Sequence, residues 1–154
     1  MLVLILILIK LYINRFNNGT HSTIESEILA DYEYYAPEKR KKISLEAVST
    51  PLITIDSIML NKKIKLIKID TEGNELDVLK GATKTLTNNP PEMIIIEDRG
   101  GVERHKNKCD QYLDILKSYS YKIKYFGKDN LTEDRNLRHN MSDVLFVHSE
   151  NALY

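Results

Sequence analysis

The stretch Lys65–Ala82, KLIKIDTEGNELDVLKGA, changes its hydrophobic period half-way along, and that change decides how the chain folds. In the overlapping run IKLIKID, Ile64, Leu66, Ile67 and Ile69 leave room for little but burial, so the run reads as a compact strand. In NELDVLKGATKTL the apolar residues Leu76, Leu79, Ala82 (or Thr83) and Leu86 recur at helical spacing and mark one face of a helix. Asn74 is placed to cap that helix, and Glu75 and Asp77 fall in its first turn, where carboxylates complement the positive end of the dipole. The following NNPP ends it, because proline has no amide hydrogen and biases the residue before it away from helical backbone. Between the two periods stand Asp70, Glu72 and Gly73.

Working outward, EMIIIE reads as a second buried strand, Met93 to Ile96, ending in Glu97 and Asp98. Helical spacing returns at Cys109, Tyr112, Leu113 and Leu116, YKIKYF alternates as a strand, and Val144 to Val147 form a closing strand. Upstream, LITIDSIML reads as a strand tip passing into a short helix, with Asp56 near the junction. This order predicts an α/β domain whose first two strands are parallel and joined by a right-handed helical crossover. A late antiparallel hairpin is expected at one edge of the sheet.

The 154 residues are the size of one domain, and no repeat or low-complexity linker divides residues 1–154. Twenty-two basic and twenty-two acidic side chains cancel, so no overall field draws in nucleic acid or an acidic membrane surface. The tyrosine-rich segment before the basic cluster Lys39 to Lys42 reads as a solvated loop rather than a nucleic-acid platform. Cys109 is the only cysteine, which excludes an internal disulfide and fits a reducing, cytoplasmic compartment. The sequons at Asn18, Asn130 and Asn140 are expected by chance in an asparagine-rich chain. The apolar run MLVLILILI is shorter than the about 20 residues a helix needs to span a bilayer. Residues 1–10 read as a strand buried on both faces, with a membrane anchor as the alternative.

In parallel sheets, ligands bind beyond the carboxyl ends of the strands. Asp70 with Glu72, and Glu97 with Asp98, occupy two such ends. Adjacent strands lie only about 4.8 Å apart, so these acids would share one site, where like charges raise at least one pKa. Such a group suits a general base or a divalent-cation site. Equally, Glu72 and Glu75 could serve only as helix caps, and Asp98 could pair with Arg99 or Arg104.

The segments ITIDSI, IKLIKIDTEGNELDVLKGA and PPEMIIIE together resemble the FkbM family of S-adenosylmethionine-dependent methyltransferases. The family's hallmark is a T-L-D-S-L-like segment followed by K-I-D-x-E-G-x-E-x-x-V-L-K-G-A. Lys68, Ile69, Asp70, Glu72, Gly73, Glu75, Val78, Leu79, Lys80, Gly81 and Ala82 fall on it in register. Further likenesses are LYINRFNNGTHS, with an N-x-G-x-x-S-like loop, a GY-like turn at Ser120 and Tyr121, and the closing DVLFV, so the resemblance runs from about residue 10 to residue 150.

The resemblance implies a Rossmann-like class I methyltransferase sheet, mostly parallel with a C-terminal antiparallel hairpin. It implies S-adenosylmethionine as cofactor and O-methylation of a sugar-like or natural-product hydroxyl, on a small molecule or a glycan. Asp70 would lie near the methionine end of the cofactor and the acceptor. Glu72 or Glu97 would be the base or orient the hydroxyl, and Lys68 would be an ion-pair partner. The chain departs from the family in its first part: before residue 50 its only glycine is Gly19, so the glycine-rich cofactor loop is absent. It reads as the C-terminal, N-terminally truncated part of such a domain, with residues 1–10 in the place of the third strand. Two other readings use the same residues. One is a non-catalytic half-domain that binds a second copy or another chain through an uncovered sheet edge. The other is a carboxylate metal site for hydrolysis.

Overall fold

A computed structural model describes residues 7–14, 29, 45–58, 63–71, 73–97, 103–134, 136 and 143–151, with residues 7–14, 103–109 and 151 described by backbone alone. Glu72, Asp98, Arg99, the tyrosine-rich segment, Lys39 to Lys42, Asn18, Asn140, and the apolar run before Ile7 lie outside the described residues. The chain divides into two compact units, Met1–Ile53 with Thr71–Asn74, and Thr54–Asp70 with Glu75–Tyr154.

The first unit holds a two-stranded ribbon. Strand β1, Ile7–Asn14, runs antiparallel to β2, Leu45–Leu52, with Ile7 opposite Leu52 and Asn14 opposite Leu45. The end of the apolar run is therefore a strand, as expected, but it pairs within this ribbon and not in the larger sheet. Glu46, Ser49 and Pro51 interrupt the apolar pattern of β2, so nothing in its periodicity announces a strand. Pro51 is tolerated because a ribbon of two strands leaves each with an outer edge that needs no amide donor. In the same unit, the Asn74 side-chain amide donates to the Thr71 carbonyl at 3.1 Å, and buried Gly73 has φ 103°, a backbone angle that side chains resist.

The second unit carries five strands in the order β3-β4-β7-β5-β6. They are β3 (Leu66–Ile69), β4 (Met93–Glu97), β5 (Tyr121–Phe126), β6 (Leu131–Thr132) and β7 (Asp143–His148). β3 and β4 are parallel, as the sequence predicts. The other ladders, β4 with β7, β5 with β7 and β5 with β6, are antiparallel, so the sheet is not mostly parallel as expected. The late hairpin also fails to stay at an edge. Strand β7 inserts between β4 and β5, because its run of Val144, Leu145, Phe146 and Val147 is buried throughout and needs a neighbour on each side. Since β7 opposes both, β3, β4 and β5 nevertheless point the same way.

The expected helix after Asn74 is two short helices, α1 (Glu75–Lys80) and α2 (Thr83–Asn88). The break has a definite cause. Asp56, in a single 3-10 turn at Ile55–Ser57, donates its amide to the Gly81 carbonyl at 3.0 Å, an oxygen that a continuous helix would use for Thr85. Its carboxylate then accepts from the Lys84 amide at 2.9 Å, the Thr85 amide at 2.8 Å and the Thr85 hydroxyl at 2.8 Å, capping α2 from outside. Gly81 suits this close approach, because a Cβ would stand 3.3 Å from Thr54 Cβ and Cγ2.

Helices α1, α2 and α3 (Glu103–Ser118) cover one face of the sheet. Leu79, Ala82, Leu86, Tyr112 and Leu116 pack on Ile69, Ile94, Ile96, Val144 and Phe146. Full burial of a side chain such as Ile96 or Phe146 contributes about 1.5–3 kcal/mol. The expected helical face of α3 is thus formed by Tyr112 and Leu116, with Leu113 partly buried; the Cys109 side chain lies outside the described atoms. One strand expectation is corrected: among the described residues β3 is the last strand on its side of the sheet, and Leu66 is 48% exposed instead of buried. Among the described residues no helix is long and apolar enough to cross a membrane.

Candidate active site

The parallel register sets Ile69 beside Ile96, so the next residue of each chain, Asp70 and Glu97, emerge side by side at the carboxyl ends of β3 and β4. On the other side of β4 the register sets Glu97 opposite Asp143, the first residue of β7. Residues two apart on a strand share a face, so Glu97 and Asp143 lie on the face of Ile95 and Leu145, opposite the helical core. Three acids thus stand in one row across three strands.

Lys68 Nζ reaches Asp70 Oδ2 at 3.1 Å, and both side chains are about half exposed, at 54% and 42%. The hydrogen bond to Asp70, with the charges of Asp70 and Asp143, raises the lysine above its ordinary range. This is the ion-pair role read from the sequence. Glu75, the first residue of α1, is 7% exposed, more deeply placed than a solvated helix start requires.

These surroundings act together on Glu97. Burial comes first, followed by the negative charges of Asp70, Glu75 and Asp143, and together they push its carboxyl up to about 7; Lys68 opposes them. A carboxyl in that range exchanges protons at neutral pH, the property a general base needs. The sequence had pointed to Asp70 and Glu97, and the structure brings them together; Glu72 lies outside the described residues. Asp143 escaped the sequence reading, since only the antiparallel register of β7 places it opposite Glu97. Among the described residues no group of three or more His, Cys, Asp or Glu is arranged to hold a metal ion.

The model of the methyltransferase FkbM domain matches residues 11–123. The chain belongs to the FkbM methyltransferase family. The matched range takes in β3, β4 and the whole acid-rich segment between β3 and α1, and it ends within β5, so β7 and Asp143 fall beyond it. Neither a curated protein nor a solved structure matches the chain. Methyltransferases of this kind generally use S-adenosylmethionine, whose methionine end carries a sulfonium and an ammonium. The donor set of this FkbM domain fits that end: Asp70, Glu97 and Asp143 supply carboxylates at one strand end, and such a field favours cations. Thr54, Asp56 and Gly81, which lie in the FkbM hallmark segments, are occupied in holding the helix break and belong to the scaffold of the site.

Proposed function

We propose that this FkbM domain takes part in S-adenosylmethionine-dependent O-methylation of a hydroxyl on a sugar-like or natural-product acceptor. The observation that carries the reading is Glu97, half-buried beside Asp70 and opposite Asp143, with its carboxyl near 7. When bound, the cofactor supplies an electrophilic methyl group on sulfur. The chain's own residues do the rest. Glu97 accepts the proton of the acceptor hydroxyl as the new oxygen–carbon bond forms and the sulfur–carbon bond breaks, which leaves a methyl ether and the neutral thioether. Asp70, paired with Lys68, would hold the cationic end of the cofactor. Glu72, two residues beyond Asp70, is the second candidate to orient the acceptor hydroxyl.

The test uses the full chain with isotope-labelled S-adenosylmethionine and a panel of sugar and polyketide-like alcohols. Label transfer that depends on Glu97 and on Asp70 is the expected result. Absence of calorimetric heat and of thermal shift at millimolar cofactor would sink activity of this chain by itself.

A second reading is favoured by one observation: among the described residues β3 ends the sheet on its side and carries the exposed Leu66. Unpaired strand edges accept further strands, so a second copy or another polypeptide would pair there. Sedimentation over a concentration series tests it, and a monomer at every concentration, alone and with candidate partners, counts against it.

A further inference from the structure

Asp143 stands directly opposite Glu97 in the β4–β7 ladder. Opposed residues of an antiparallel pair hold their Cβ atoms about 4.5–5.5 Å apart, and like charges there are unfavourable. Two carboxylates at one ladder position are therefore not what pairing within the sheet favours. We propose that Asp143 is a positioning residue of the methyl-transfer site, acting through Glu97 to keep that carboxyl ready to take up a proton near neutral pH.

The inference rests on the reading of Glu97 as the base. Among the described residues, the charged groups facing Glu97 are Lys68 and Asp70 from β3 and its end, Glu75 from α1, and Asp143 from β7. Asp70, Glu75 and Asp143 act in the same direction, and burial acts with them; Lys68 acts against them. The three acids differ in how they are held. Asp70 is paired with Lys68 at 3.1 Å, and Glu75 is the first residue of α1. Asp143 is the first residue of β7, and the ladder register places its backbone directly opposite that of Glu97.

The experiment is a carbon-detected NMR titration of glutamate carboxyls in the full chain, with Glu97 assigned by its loss in Glu97→Gln. In the wild type the Glu97 midpoint lies near 7. Asp143→Asn, checked for fold by its amide spectrum, lowers the Glu97 midpoint by roughly half a pH unit, whereas Asp143→Glu keeps it close to the wild-type value. Asp143→Ser repeats the measurement where the asparagine variant does not fold. A folded Asp143→Asn or Asp143→Ser protein with the Glu97 midpoint unmoved overturns the role of Asp143 and leaves Glu97 as base intact. A wild-type Glu97 midpoint at the ordinary carboxylate value overturns both.

Discussion

A carboxyl that changes charge near neutrality leaves a direct mark on a rate profile. Glu97 is raised from 4.5 to about 7 by burial and then by its acidic neighbours, and a base must be ionised to act. The rate of methyl transfer is therefore expected to rise with pH through about 7 and then level off. Glu97→Gln removes that limb and lowers kcat by about 10²–10⁴-fold, the usual worth of one positioned base. Ser120 supports a second prediction. It follows α3 with φ 65°, in the left-handed region, at the first position of the GY-like turn, and its amide bonds the Lys117 carbonyl at 3.0 Å. Glycine meets that angle without strain, so Ser120→Gly is expected to stabilise the chain by roughly 0.5–1 kcal/mol and raise Tm by about 2–3 °C in a thermal melt. Tyr121 beside it anchors the turn, since its buried hydroxyl donates to the Pro91 carbonyl at 2.7 Å and burial holds the phenol well above its ordinary range.

At the scale of elements, the break between α1 and α2 shows what periodicity could and could not reveal. The spacing of Leu76, Leu79, Ala82 and Leu86 marked the buried face correctly, because that face follows from local pattern. It could not mark the break, because the cap comes from Asp56, 28 residues before Lys84 in sequence. The same holds for β2, whose partner β1 lies far upstream and whose own pattern is interrupted. Asp56→Ala leaves the Lys84 and Thr85 amides without their acceptor and is expected to cost about 2 kcal/mol, with faster hydrogen exchange at those two amides. Partial burial pushes the Asp56 carboxyl up, but the amides of Lys84 and Thr85, the Thr85 hydroxyl and the Lys84 charge outweigh it and hold the carboxyl below its ordinary value of 3.8. The stabilisation by this cap is therefore present above the unfolded pKa and is lost as pH falls through the folded one. Asp56→Asn, which keeps an acceptor oxygen, loses less than the alanine variant and loses the pH dependence.

At the scale of the whole molecule, the five-stranded sheet places its acids by two different rules. The parallel pair β3 and β4 was legible, since two buried runs joined by helical spacing admit few other arrangements, and with it came the meeting of Asp70 and Glu97. The insertion of β7 was not, because an apolar run does not say which neighbours it takes, and with it Asp143 stayed hidden. The resulting cluster has a consequence for global stability. Glu97 binds its proton more tightly folded than unfolded, so between 4.5 and about 7 the folded state holds more protons than the unfolded state. Stability then falls as pH rises through that window: the favourable contribution is full below 4.5 and gone above about 7. Glu97 is only half-buried, so solvent screening reduces the effect, and a loss of about 1–2 kcal/mol is expected across the window. Urea denaturation at a series of pH values measures it. The wild type is expected to be more stable near pH 5 than near pH 7.5, and Glu97→Gln, which carries no charge at either pH, flattens the difference; an equal slope in both proteins would assign the pH dependence to other groups.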